Sequence, residues 1–142
     1  MNKRVIFFGT AALVFVLDRI TKLLVVRNLS LGESVDVGFI SITHIVNTGT
    51  AFGFLKSAGL LFTIAALLVS AYLVWKHSTY ESRLQPALGL VLGGALGNVV
   101  DRFIYGAVID FIDVHFWPVF NVADAAISVA IVLLVILEWK KK

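Results

Sequence analysis

The sequence contains no cysteine, which excludes a disulfide framework, thiolate chemistry and attachment of lipid through a cysteine side chain. Charge is also scarce: 15% of the residues are Asp, Glu, Lys or Arg against 59% hydrophobic ones, and the mean hydropathy is +0.95. That balance excludes an ordinary soluble domain. The three histidines have no metal-ligand spacing, nothing reads as H-E-x-x-H, and there is no G-x-S-x-G elbow. Internal repeats and low-complexity stretches are missing, and a second globular domain has no room. What is present is a series of long apolar runs, which predicts a polytopic membrane protein.

In 142 residues there is space for about four spans of about 20 residues with short connections. They are expected over residues 5–26, 58–75, 86–105 and 121–139. Lys3 and Arg4 precede the first in the manner of a signal peptide, but the run is too long and no small-residue cleavage site closes it, so it is expected to be retained. Pro86 suits the first turn of the third helix, and Trp139 with Lys140, Lys141 and Lys142 suits a membrane exit. Lys3, Arg4, the Lys76 to Arg83 connection and the final lysines fall on one side, while Arg27 and Lys56 fall on the other. The positive-inside rule then makes both termini cytoplasmic and turns 28–57 and 106–120 outward.

Within the first outward segment, Val35, Val37 and Phe39, then Ile40, Ile42 and Val46, follow a two-residue period that predicts short strands. Asn47-Thr48-Gly49 supplies a turn before Ala51-Phe52-Gly53-Phe54. The expected fold is an all-α membrane protein: one domain over 1–142, with four transmembrane helices and a small extracytoplasmic β-sheet between the first two. Ser78 to Gln85 reads as a polar connection, Asp113 and His115 as solvated loop residues, and His44 and His77 as surface or interfacial ones.

Asp18, Lys22, Asp101, Arg102, Asp110 and Asp124 lie inside or beside the spans, where charge is costly and marks function by default. The topology gathers them, with Asn98, at the outer ends of the helices. Asp18 and Lys22, four apart, share a helix face, as do Asn98 and Arg102. Each also has a plainer reading. Asp18 and Lys22 can pair to lower each other's burial cost. Asp101 and Arg102 can tether the third span to the Asn47 turn or touch a ligand, and Asp124 with Asn121 can be ordinary helix N-terminal residues. For chemistry, Asp110 and Asp124 are the best acid/base pair: one ionised to take a proton from water, the other protonated to donate to a peptide carbonyl. Proton- or ion-coupled transport would also place carboxylates in a membrane, and residue physics alone leaves both readings open.

Five segments resemble, in order and at compatible spacing, the motif series of the lipoprotein signal peptidase family, also called signal peptidase II. They are Asp18-Arg19-Ile20-Thr21-Lys22, the run from Asn47 through Thr50 to Gly53, the run from Gly93 through Asn98 to Arg102, the run from Val108 through Asp110 to Asp113, and Phe120-Asn121-Val122-Ala123-Asp124. The resemblance covers nearly the whole chain. It implies a multi-pass aspartic endopeptidase of the bacterial inner membrane that removes signal peptides from diacylglyceryl-modified prolipoproteins, cutting before the lipidated cysteine.

By the same resemblance Asp110 and Asp124 form the catalytic dyad. Asn47, Asn98 and Arg102 contact substrate or inhibitor, Asn121 orients the dyad, Asp18 and Lys22 shape the site, and Asp101 changes from suspected catalyst to support. No metal or organic cofactor is implied. The implied partners are lipid-modified precursors, membrane lipids and inhibitors such as globomycin, with no nucleic acid, and the implied state is a monomer. Thr50 and Ala125 depart from the Ala and Ser often found at those positions in the family. The 113–120 connection is short, which bears on substrate preference.

Overall fold

The computed structural model describes residues 2–49 and 58–139. The expectations for Ala51 to Phe54, Lys56 and the Lys140 to Lys142 tail lie outside these residues. Four helices are present: α1 (Lys3–Asn28), α2 (Ala58–Lys76), α3 (Gln85–Tyr105) and α4 (Val122–Trp139). Three stretches, Gly59–Thr79, Ser82–Tyr105 and Val122–Trp139, are long and apolar enough to cross a membrane by composition, where four had been expected. α1 falls outside that set because Asp18, Arg19 and Lys22 interrupt its middle. Its length is sufficient, since 26 residues at 1.5 Å each reach about 39 Å.

α1 resolves its charge problem by facing inward. Phe7, Ala11, Val14, Asp18, Lys22 and Val25 recur every three or four residues and form its buried stripe, while Leu13, Val16, Leu17, Ile20 and Leu24 are exposed on the other side. A helix with an apolar outer face and a charged inner one has the polarity expected in hydrocarbon. α3 sits at the centre of the bundle, packed against α1, α2 and α4. Glycine allows that approach. A Cβ on Gly93 would lie 2.9 Å from Val14 Cβ, and one on Gly94 would lie 2.6 Å from the carbonyl oxygen of Ala123, so a methyl at Gly94 would displace the first turn of α4.

The sheet differs from expectation in one respect that matters for function. The predicted short strands are present as β1 (Ser34–Val37) and β2 (Ile40–Asn47), but they form a hairpin that turns at Gly38-Phe39, where Phe39 had been expected in a strand; Gly38 has φ 75°, as a type II′ turn demands. A third strand, β3 (Val108–Asp113), comes from the segment between α3 and α4 and pairs antiparallel with β2, giving the order β1-β2-β3. The sheet is therefore not confined to the α1–α2 connection. Val-Ile-Asp-Phe-Ile-Asp lacks polar alternation because the residues of its first four positions are all buried, which hid the strand from a two-residue periodicity. Asp113 ends this strand and is not a loop residue.

His77 and His44 are buried rather than superficial. His77 stacks on Phe7 with ring centroids 4.4 Å apart, and His44 Nδ1 lies 2.9 Å from the Leu29 carbonyl. The 78–85 connection is likewise more than a polar link. Gln85 is fully buried and donates to the carbonyls of His77, Tyr80 and Glu81, while Lys3 donates to that of Tyr80, tying the ends of α1, α2 and α3 together.

Candidate active site

The site begins with a buried ammonium. Lys22 has three N–H donors and no accepting capacity. Three oxygens surround it: Asn98 Oδ1 accepts a hydrogen bond at 2.9 Å, and Asp18 Oδ2 at 2.9 Å and Asp101 Oδ2 at 2.7 Å form ion pairs with it. None of Asp18, Lys22 and Asp101 reaches solvent. Asp101 also accepts from Arg19 and, at 3.2 Å, from the Ile109 backbone N–H, so it ties α3 to α1 and to β3. Sequence reasoning had offered the Asn47 turn or a ligand as its partner. Asp18 uses its other oxygen on the Ala123 N–H at 3.0 Å, satisfying one of the unpaired donors that open α4.

These contacts set two amides. With Asn98 Oδ1 turned to Lys22, its Nδ2 points the other way and donates to Asp124 Oδ1 at 2.8 Å. Asn121 is the N-cap of α4: its Oδ1 accepts the Asp124 N–H at 2.9 Å, and its Nδ2 therefore faces Asp110 Oδ1 at 2.6 Å and Asn98 Oδ1 at 3.2 Å. Asn47 repeats the logic from the sheet. Its Oδ1 accepts the Gly49 N–H at 2.9 Å in a tight turn where Gly49 has φ 75°, and its Nδ2 donates to Asp110 Oδ2 at 2.8 Å. Ile45 stands opposite Asp110 across β2 and β3, so Asn47, two residues on, is a diagonal neighbour on the same face.

Asp110 and Asp124 are thus joined through a chain of Asn121 and Asn98, and each amide in it is oriented by a partner that can act in only one sense. Phe120 completes the approach: it exchanges backbone hydrogen bonds with Ile112 and returns the chain beside β3, which sets Asn121 against Asp110. Burial pushes the Asp110 carboxyl up from 3.8 to about 6. The charge of Asp124 adds to the rise, and the hydrogen bonds from Asn47 and Asn121 oppose it. A carboxyl titrating there exists in both forms near neutrality, as an acid/base group must.

Space adjoins both carboxyls. A cleft of about 320 Å³ is lined by Asn47, Thr48 and Asp110, and a cavity of about 480 Å³ has Asp124 in its wall. A third, of about 500 Å³ between α2 and α3, is lined by Thr48, Thr63 and Arg102. Arg102 Nη1 lies 3.5 Å from the Asn98 carbonyl, and the guanidinium is within electrostatic reach of Asp124, Asp101 and Asp110. All nine polar residues singled out from the sequence therefore lie in or beside one assembly. Arg19 was missed as Asp101's partner, although Asp18 and Lys22 flank it in the same motif. Among the described residues, no three of His, Cys, Asp and Glu gather as a metal site.

Residues 10–140 match the family model described as Signal peptidase (SPase) II. The lipoprotein signal peptidase of Syntrophus aciditrophicus is 45% identical, covering 93% of this chain and 91% of its own. That of Thermodesulfovibrio yellowstonii is 44% identical, covering 91% of each. Two bacterial membrane enzyme structures solved by the in meso method, at 2.3 Å and 1.9 Å, superpose with TM-scores of 0.84 and 0.86 and are each 32% identical. They cover 92% and 94% of this chain, and the chain covers 85% and 92% of theirs. With a matching model over most of its length and relatives above 40% identity, the chain belongs to the signal peptidase II family.

Proposed function

We propose that the protein is an aspartic endopeptidase that removes signal peptides from diacylglyceryl-modified prolipoproteins, cleaving before the lipidated cysteine, with Asp110 and Asp124 as its catalytic pair. The observation that carries this reading is the paired holding of the two carboxyls: Asp110 by Asn47 and Asn121, and Asp124 by Asn98, with the two holders joined to each other. Groups fixed in this way need no reorganisation when charge develops. Asp110, held near 6 by burial, carries the shared proton and donates it to the scissile carbonyl oxygen. Asp124 takes a proton from a water molecule as that water attacks the carbonyl carbon. The tetrahedral intermediate then collapses: Asp124 gives its proton to the departing amine nitrogen as the C–N bond breaks, and Asp110 recovers a proton from one of the intermediate's hydroxyls as the carboxyl group forms.

In this reading α1 is a fourth span and both termini are cytoplasmic in a bacterial inner membrane. The sheet and the Asp110–Asp124 site lie at the outer leaflet, and the chain is a single domain working as a monomer. The exposed apolar face of α1 supports the fourth span, and Phe39, 98% exposed at the hairpin tip, supports a sheet resting on lipid. Arg102, beside Thr48 and Thr63, contacts substrate or globomycin. Transport coupled to protons or ions is not favoured, since the matched relatives are peptidases.

Oxygen tracing tests the chemistry. Cleavage in ¹⁸O-labelled water is expected to place label in the new carboxyl of the released signal peptide. An added amine is expected to capture no acyl-enzyme. An amine-trapped product would mean a covalent nucleophile and would overturn the dyad.

A further inference from the structure

We propose that the cavity behind Asp124 is the subsite for the acyl chains of the substrate's diacylglyceryl group, roofed by Phe116 and Trp117. This rests on the endopeptidase reading and adds to it where the lipid goes. The cavities around the carboxyls differ in chemistry. The one walled by Asp124 is otherwise lined chiefly by Phe116, Trp117, Phe120 and Val129, with Ser128 as a second polar group. Its volume of about 480 Å³ lies in the range of about 300–1,000 Å³ usual for small-molecule sites. On the other side, the more polar cavity is lined by Arg102, Thr48 and Thr63 together with Leu60 and Phe103, and its guanidinium is a donor that suits peptide carbonyls. Thr48 also lines the cleft on Asp110, so the polar cavity and that cleft share a wall.

A peptide lying through the polar cavity and the Asp110 cleft meets the two carboxyls at its scissile bond. The residue after that bond, the lipidated cysteine, then emerges on the Asp124 side. The first carbons of its acyl chains enter the apolar cavity, and the remainder runs out along the exposed face of α4 past Val129, which is 52% exposed. The roof is held in place. Phe120 pairs with Ile112 at one end of the 114–119 segment. At the other, Asp113 accepts the His115 N–H at 2.8 Å and Val114 accepts that of Phe116 at 2.9 Å. His115 sits at φ 67°, an uncommon conformation for a residue with a side chain, and the turn it makes leads into Phe116 and Trp117, 87% and 66% exposed. These rings are covered by nothing among the described residues, yet they line a cavity.

The test uses the purified full chain with one precursor peptide carrying either two hexadecanoyl or two hexanoyl chains on its glyceryl-cysteine. Wild-type protein is expected to prefer the long chains. The double variant Phe116→Ala, Trp117→Ala is expected to lose about tenfold in kcat/KM on the long-chain precursor and to stay within about twofold on the short-chain one. Equal losses on both precursors, or none on either, would overturn the proposal, whereas a wild-type protein that cuts neither would instead overturn the endopeptidase reading. A second measurement does not depend on that variant. A long-chain precursor with a photoreactive group on its acyl chain, bound to the Asp110→Asn protein, is expected to label residues 114–129. Labelling confined to the Leu60 and Phe103 side would place the lipid in the other cavity and refute the assignment.

Discussion

Replacing either Asp110 or Asp124 by Asn is expected to lower kcat on a diacylglyceryl-modified precursor by about 10²- to 10⁴-fold, with the protein still folded. An amide can neither accept water's proton nor donate one to a carbonyl at useful strength. The two variants differ in what they do to stability, and the difference follows from the hydrogen bonds. In the folded protein Asp110 titrates near 6, against 3.8 ordinarily, so between those values the folded state binds more protons than the unfolded one. Stability contributed by this group is therefore full below about pH 4 and is lost as pH rises to about 6. The loss is at most about 3 kcal/mol, from a shift of about two units at 1.36 kcal/mol each.

Asp110→Asn removes that penalty. It also turns an amide N–H₂ toward a donor, because Asn47 and Asn121 both present Nδ2 and neither can flip without abandoning Gly49 or the Asp124 N–H. An unsatisfied donor costs about 1–3 kcal/mol, so the two effects nearly cancel. The Asp110→Asn protein should then melt at neutral pH close to wild type and show a flatter stability profile between pH 4 and 6. Thermal melting in detergent across that range, beside a single-turnover assay, checks both halves. Turnover near the wild-type rate in either variant would remove the dyad.

The largest expected loss of stability comes from a residue that touches no substrate. Lys22→Met leaves Asp18 and Asp101 buried without their shared cation, although Arg19 still reaches Asp101. Breaking a buried ion pair from one side costs about 3–5 kcal/mol, because the desolvation of the remaining charge is no longer offset. The damage should reach function as well. Without the ammonium, Asn98 Oδ1 keeps only the longer 3.2 Å hydrogen bond from Asn121 Nδ2, so the amide that holds Asp124 is oriented less firmly. Asp18→Asn with Lys22→Met is expected to recover part of the stability without recovering turnover. Chemical denaturation of the three proteins, read with their kcat values, separates the charge effect from the orientation effect. Stability within about 1 kcal/mol of wild type in Lys22→Met would show that the ammonium carries little of either.

Much of this was legible in the sequence, for identifiable reasons. The helices α2, α3 and α4 announced themselves by long apolar runs, and their boundaries fall within one or two residues of those expected for the second to fourth runs. The strands β1 and β2 showed because alternation is a local signal, whereas the turn between them at Gly38-Phe39 was passed over, since Phe39 fits the same two-residue period. Asp18 with Lys22, and Asn98 with Arg102, could be placed on shared faces by helical spacing alone. What stayed hidden depended on contacts between distant segments. β3 carries no polar alternation, so its pairing with β2 was invisible even though it positions Asp110. The burial of His77 against Phe7, and of Gln85 under its carbonyls, depends on three helix ends meeting. The orientation of Asn98, Asn121 and Asn47 is a property of hydrogen bonds across 76, 11 and 63 residues of chain, which no local pattern encodes.

The central claim, that this assembly cuts a lipidated precursor next to its modified cysteine, is tested most directly by mass analysis of the products from two precursors of identical sequence. One carries the diacylglyceryl group and the other is bare. Purified protein in liposomes, with no ion gradient, is expected to release the signal peptide from the first with its carboxyl end at the residue before the cysteine, and to leave the second intact. The Asp110→Asn and Asp124→Asn proteins should release neither. Cleavage of both precursors at equal rates, a cut elsewhere in the chain, or the same product from either variant would contradict the account.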